Sequence, residues 1–187
     1  AGLVKALRPR QWVKNVLVFA APVAALGDAR YAYDYREVLV KVLVAFVVFS
    51  LAASCVYLVN DARDVDADRA HPTKRFRPIA AGVVPEWLAY TLSAVLGAAS
   101  LAISWSVTPD LALVMAIYIG IQLAYCFGLK HQPVIAICIV SSVFLIRAIA
   151  GAVAAEAPLS PLFLLLNAYA SLSLPAGRPY HYLQRPE

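Results

Sequence analysis

Long apolar runs separated by short polar stretches dominate this chain. The runs lie at about 13–26, 38–59, 84–107, 111–127, 133–155 and 162–174. Most approach the roughly 20 residues that cross a bilayer as a helix. None alternates apolar and polar residues with period two, as a transmembrane strand would. The pattern predicts an all-α, polytopic transmembrane helical bundle with about six spans. It also predicts a single transmembrane domain over residues 1–187. The connections are a Tyr-rich loop after the first span, a charged loop at 60–82, a Thr108-Pro109-Asp110 turn, a short loop at 128–132 and a Pro-flanked turn at 157–161. Pro175 and Gly177 close the sixth span.

Composition agrees. The 187 residues are 62% hydrophobic and 14% charged, and mean hydropathy is +0.73. Soluble domains carry about 25% charge. The net charge of +5 is confined to short loops, so no soluble basic face is offered to nucleic acid. Cys55, Cys126 and Cys138 all fall inside apolar runs, without metal-ligand or disulfide spacing. They are expected as small core residues. The first run lacks a small-residue cleavage pattern and further spans follow, so it is expected to stay as a span.

Charge placement orients the bundle. With the N-terminus in the cytoplasm, all of the sixteen basic residues except Arg30, Arg36, Lys41 and Arg147 fall on the cytoplasmic side. A multi-pass protein of the plasma (inner) membrane follows, with the 60–82 loop facing the cytoplasm.

That loop carries the chemistry. Asn60-Asp61-Ala62-Arg63-Asp64-Val65-Asp66-Ala67-Asp68 holds four of the chain's eleven acids, and Arg69, His71, Lys74, Arg75 and Arg77 follow. If the motif continues the second helix at about 100° per residue, Asn60, Asp61, Asp64 and Asp68 share one arc of about 100° and Asp66 points away. Three carboxylates on one face repel, and a divalent cation relieves the conflict. Mg²⁺ takes oxygen ligands and is usually held by one or two carboxylates plus substrate phosphates. Lys74 can meet remaining phosphate charge as a point charge, and Arg75 or Arg77 as a fork. The competing reading is a solvated, salt-bridged loop.

The Asn-Asp-x-x-Asp-x-x-x-Asp motif at 60–68, followed by Lys74-Arg75-Phe76-Arg77-Pro78-Ile79 and Gly82, resembles the first Asp-rich motif of the UbiA superfamily of intramembrane prenyltransferases. Four stretches bring it nearer to one branch of that superfamily: Leu7-Arg8-Pro9-Arg10-Gln11-Trp12-Val13-Lys14-Asn15, Tyr57-Leu58-Val59-Asn60-Asp61, Tyr125-Cys126-Phe127-Gly128-Leu129-Lys130-His131 and Phe144-Leu145-Ile146-Arg147-Ala148-Ile149-Ala150-Gly151. That branch moves 5-phosphoribosyl from 5-phosphoribosyl 1-diphosphate to decaprenyl phosphate in actinobacterial cell-wall arabinan (arabinogalactan) precursor synthesis. The resemblance covers residues 1 to about 177. It implies Mg²⁺ as cofactor, held by Asn60, Asp61, Asp64 and Asp68, with Asp61, Asp64 and Asp68 as the catalytic carboxylates. Mg²⁺ and cations then stabilise the leaving diphosphate as the C1–O bond breaks, and the lipid phosphate oxygen attacks an oxocarbenium-like centre.

The implied substrate-binding residues are Asn60, Lys14, Tyr57, Lys74, Arg75, Arg77, Lys130 and Arg147. Several have a plainer reading as well. Lys14 can be a positive-inside anchor, Tyr57, Tyr118 and Tyr125 packing or belt residues, and His131 an interfacial residue. Arg147, at mid-depth of the fifth span, is either a phosphate contact or paired with a neighbouring helix. Trp87 and Trp105 should mark the ends of the third span. The implied partners are 5-phosphoribosyl 1-diphosphate, a polyprenyl phosphate lipid and the membrane, with a homo-oligomer allowed and no nucleic acid.

The alternatives are a UbiA-type prenyltransferase using a prenyl diphosphate donor and an aromatic or other acceptor, and a non-enzymatic transporter or scaffold. A transport site belongs near the bilayer midplane, whereas this motif sits at a loop margin. The family has about nine spans, so these six correspond to the N-terminal two-thirds of its fold. Its second polar motif would follow the sixth span, but Ala176-Gly177-Arg178-Pro179-Tyr180 is followed by no acid before Glu187. Pro179 would break a continuing helix there.

Overall fold

The computed structural model describes residues 1–19, 34–128 and 131–155. A short helix α1 (Gly2–Ala6) leads into a 3₁₀ stretch (Pro9–Phe19). Then come α2 (Tyr35–Arg63), a short α3 (Val65–Ala70), a 3₁₀ turn (Lys74–Phe76), α4 (Glu86–Val107), α5 (Pro109–Cys126) and α6 (Pro133–Ala155). Four of these helices, α2, α4, α5 and α6, are long and apolar enough to cross a membrane. They agree with the expected second to fifth spans within a few residues. The expected sixth span and the 175–187 segment lie outside the described residues.

Local chemistry explains the helix limits. Asp34 caps α2 by accepting from the Arg36 amide at 3.0 Å. Thr108 caps α5 by accepting from the Asp110 and Leu111 amides at 3.0 and 3.4 Å, with Pro109 in the first turn, where its missing N–H costs nothing. These side chains satisfy amides that a helix start leaves without partners.

Helix α2 is the centre of the bundle. It packs against the 3₁₀ stretch, α4, α5 and α6. The contact with α4 runs along Ala89, Ser93, Gly97, Ser100 and Ser104, all buried. Small residues at that spacing let two helices approach closely, and the hydroxyls then bond across the gap. Ser93 donates to the Cys55 carbonyl at 2.9 Å and Ser100 to the Val48 carbonyl at 3.1 Å. On the opposite face of α4, Trp87 and Trp105 are exposed at its two ends, as expected of interfacial aromatics. Cys55 and Cys126 are buried, but Cys138 is exposed. It lies on the outer face of α6 rather than in the core.

The start of the first span differs from the α-helix expected. The 3₁₀ form has three residues per turn, so side chains three apart eclipse. Trp12, Asn15 and Val18 therefore form one stripe facing the bundle. Trp12 Nε1 donates to Ser54 Oγ at 3.0 Å, and Asn15 Nδ2 to Ser50 Oγ at 3.1 Å. Val18 reaches α6 at Gly151, where its backbone carbonyl occupies the space a Cβ would need. Only glycine fits at that crossing.

Two apolar clusters result. The larger fills the middle of the bundle around Phe49, Leu111, Met115 and Tyr118. The smaller joins Ala6, Leu58, Ala62, Val65, Ile79, Val84 and Ala89. It fastens α1, the end of α2, α3 and the charged loop to the start of α4, and so carries the acidic motif.

Gly151→Ala is expected to destabilise the protein by about 1–3 kcal/mol through overpacking. Gly120→Ala, whose Cβ would meet nothing within 4 Å, should be neutral or slightly stabilising. Thermal melting of the two variants in the same detergent checks the contrast.

Candidate functional site

The acidic motif lies where α2 ends. Asp64 closes α2 with φ −92° and ψ 12°, its amide donating to the Asn60 carbonyl at 3.0 Å. Helix α3 restarts at once, and the Asp68 amide donates to the Asp64 carbonyl at 2.7 Å. The motif is thus nearly continuous helix, with one distorted residue. Asp61 and Asp68 are buried, at 2% and 3% exposure. Asn60 and Asp64 are half-buried, and Asp66 is exposed. Burial along the motif follows the expected arc, with Asp66 outside it.

Burying carboxylates requires compensation. Arg8 Nη2 bonds Asp61 Oδ1 at 2.5 Å. Arg77 Nη1 reaches Asp61 Oδ1 at 3.3 Å and Asp68 Oδ2 at 3.1 Å, tying the two acids together. Arg8 is held from the other side by the Tyr57 ring, 4.7 Å from guanidinium carbon to centroid. Tyr57 therefore bears on the site through Arg8.

The loop that supplies Arg77 is locally well fastened. Arg69 Nε donates to the Ala80 carbonyl at 2.9 Å. The Val83 and Val84 amides both donate to the Pro78 carbonyl, at 2.9 and 3.1 Å. Gly82 has φ +81°, a turn conformation that glycine adopts without strain. His71 Nδ1 accepts from the Thr73 and Lys74 amides at 3.2 and 3.3 Å. A ring nitrogen that accepts cannot carry the proton, so Nε2–H is the end left to donate outward.

Two adjoining cavities flank the Arg77 bridge. One, of about 470 Å³, is lined by Asn60, Asp64, Ala67, Asp68, His71, Lys74, Arg77, Tyr125 and His131. The other, of about 260 Å³, is lined by Lys5, Arg8, Asp61, Thr73, Phe76, Arg77 and Pro78. The expected single cluster is thus divided. Asn60, Asp64 and Asp68 face one cavity, while Asp61 turns to the other, drawn by two guanidiniums. Among the described residues, no three His, Cys, Asp or Glu side chains form a ready metal cage. The larger cavity still fits Mg²⁺ chemically. Its donors are hard oxygens, and this ion needs only one or two carboxylates when phosphates complete its shell.

The remaining expected site residues are placed as follows. Lys74 lines the larger cavity. Arg75 is exposed and stacks on Phe76, 4.9 Å from guanidinium carbon to centroid. Lys14 lies on the 3₁₀ stretch and lines neither cavity. Lys130 lies outside the described residues. Arg147 is buried at 4% exposure and donates from Nε to Asn15 Oδ1 at 2.9 Å. The rings of Phe49, Tyr118 and Phe144 surround its guanidinium at 5.6–5.9 Å. It lines neither cavity and joins the 3₁₀ stretch to α6.

Lys5, Arg8, His71, Tyr125 and His131 are among the lining residues that went unrecognised as site residues in the sequence. Lys5 and Arg8 looked like generic cytoplasmic anchors. Tyr125 and His131 flank the α5–α6 turn, which Arg63 pins by lying 4.2 Å over the Phe127 ring. The available signal was the Tyr125–His131 stretch, which carries the family resemblance.

The fold and site together define a multi-pass helical membrane protein with charge-paired cavities at one end of the bundle. The chain belongs to the UbiA prenyltransferase family, whose model matches residues 16–176. Over its whole length it is 69% identical to a protein of Mycobacterium tuberculosis named decaprenyl-phosphate phosphoribosyltransferase, covering 62% of that relative. It is 67% identical to the protein of the same name from Mycolicibacterium smegmatis, covering 58%. The chain thus spans less than two thirds of the curated relatives it matches. A solved UbiA homolog from Archaeoglobus fulgidus, described as bound to GPP and Mg²⁺, shares the fold with a TM-score of 0.76. That match has 18% identity over 93% of this chain and 61% of the other. The expected family and fold are borne out.

Arg77→Met removes the charge bridging Asp61 and Asp68, and should cost about 1–3 kcal/mol of stability. Arg75→Met, on the exposed side, should cost little. Melting with and without millimolar Mg²⁺ checks this, with Mg²⁺ expected to recover part of the Arg77→Met loss.

Proposed function

We propose that the protein carrying this chain transfers 5-phosphoribosyl from 5-phosphoribosyl 1-diphosphate to a polyprenyl phosphate such as decaprenyl phosphate. The observation that carries this reading is the larger cavity, whose lining brings Asn60, Asp64 and Asp68 together with Lys74, Arg77 and the His71 side chain. Acids with adjacent cations suit a metal–diphosphate group, since the carboxylates can hold the metal while the cations take the remaining phosphate charge. High identity to relatives named as phosphoribosyltransferases supports the choice of donor.

In this reading Asn60, Asp64 and Asp68 hold Mg²⁺, with Asp61 beside them. When bound, the ion would neutralise charge on the diphosphate leaving group. Lys74 and Arg77 hold the diphosphate as the C1–O bond lengthens, which stabilises the charge developing on the leaving oxygen. The attacking atom is the lipid phosphate oxygen, so no side-chain nucleophile is required. The cation bias of the loops favours a cytoplasmic site in the plasma membrane. Residues 1–187 act as one transmembrane domain centred on α2, and the product serves cell-wall arabinan synthesis.

In full-length protein, Mg²⁺-dependent binding of 5-phosphoribosyl 1-diphosphate is expected, and Asp64→Asn should lower turnover at least about 100-fold. Calorimetry against a prenyl diphosphate, each with Mg²⁺, is the check. Exclusive binding of the prenyl diphosphate would reject the phosphoribosyl reading, and undiminished turnover of Asp64→Asn would reject the metal assignment.

A further inference from the structure

The smaller cavity shares Asp61 and Arg77 with the metal–diphosphate reading, but its Lys5 and Arg8 have no role there, and it is strongly charged. Lys5, Arg8 and Arg77 line it with one carboxylate, Asp61, and Arg77 also bonds Asp68 at 3.1 Å. The formal sum, three positive charges less two negative, is +1. A phosphate monoester carries about −1.5 to −2 at neutral pH. The volume of about 260 Å³ lies just under the roughly 300–1,000 Å³ of whole-ligand sites, a size suited to one group of a larger ligand.

Arg8 is set up for such a role. Its backbone has φ +52°, a left-handed conformation rare for side chains other than glycine, asparagine and aspartate. Strained residues of this kind concentrate at ligand sites. The strain aims the side chain inward, where Tyr57 supports its face and Asp61 holds its edge. A guanidinium fixed in this way loses little freedom when it binds an anion.

We propose that this cavity is a phosphomonoester subsite, in which Lys5, Arg8 and Arg77 take either the 5-phosphate of the ribosyl donor or the phosphate of the lipid acceptor. Asp61 is the internal stand-in for that phosphate and keeps the guanidiniums placed before it arrives. A phosphate that takes over Arg8 and Arg77 releases Asp61 to serve beside Asn60 and Asp64. The identity of the two ligands rests on the proposed phosphoribosyl transfer, whereas the subsite itself rests on the cavity.

Ribose 5-phosphate carries the monoester without a diphosphate, and in EDTA its response to changes at Lys5 and Arg8, which line the smaller cavity and not the larger, reports binding at this cavity. Full-length wild type, Lys5→Gln and Arg8→Gln in lipid nanodiscs are titrated with ribose 5-phosphate, and separately with Mg²⁺ and inorganic diphosphate. If the donor's 5-phosphate binds here, both variants should weaken ribose 5-phosphate about tenfold or more, and Lys5→Gln should keep Mg²⁺–diphosphate binding within about threefold. If the lipid phosphate binds here instead, ribose 5-phosphate binding is unaltered and KM for polyprenyl phosphate rises about tenfold or more. No change in either measurement refutes the subsite. Lys5 is exposed, so its substitution spares the fold, and circular dichroism with a melting curve checks the fold of Arg8→Gln, which removes a partner of buried Asp61. Wild type that binds a prenyl diphosphate but not 5-phosphoribosyl 1-diphosphate refutes the phosphoribosyl reading. Wild type that binds 5-phosphoribosyl 1-diphosphate while both variants behave as wild type refutes the subsite alone.

Discussion

Two buried carboxylates at the end of the central helix set the terms for everything around them. Asp61 and Asp68 lie almost wholly out of solvent, and an uncompensated charge there would cost several kcal/mol. The compensation comes from two distant parts of the chain. Arg8 arrives from 53 residues upstream and Arg77 from 16 residues downstream, within the charged loop. The N-terminal lead-in and the basic run must therefore both fold back on α2. Among the described residues, no buried side-chain nitrogen or oxygen lacks a partner, so the buried carboxylates are hydrogen-bonded where they lie.

Apolar packing makes that folding back affordable. Ala6 and Leu58 bury against Ile79, Val84 and Ala89, so the charged loop rests on a hydrophobic floor. Arg8 and Arg77 reach the carboxylates because their backbones are seated there. The floor and the guanidiniums depend on each other. Cations brought to this end without packing would be screened surface charges of little worth, and packing without the cations would strand two carboxylates.

A second polar network lies deeper. Arg147, Asn15 and Ser50 connect α6, the 3₁₀ stretch and α2 through bonds of 2.9 and 3.1 Å. Aromatic rings enclose the guanidinium, and its Nε donates to the Asn15 oxygen. A charge at that depth is expensive and indicates function by default. Its position is that of a cross-brace joining three elements, next to Gly151, where α6 and the 3₁₀ stretch come closest.

Much of this protein was determined by the sequence alone. Apolar run lengths specified α2, α4, α5 and α6 to within a few residues, because a bilayer imposes one length scale on every span. The 60–68 spacing selected the inward arc and excluded Asp66, because helical periodicity is local. The family motif was legible for the same reason. Tertiary structure alone decided the rest. It chose Arg8 among several basic lead-in residues, split Asp61 from Asn60, Asp64 and Asp68, and brought Tyr125 and His131 to the cavity wall. It also turned the first span's start into a 3₁₀ stripe and placed Arg147 away from both cavities. Each of these depends on contacts between residues far apart in the chain, and no local spacing encodes which of several equivalent cations will meet a given carboxylate.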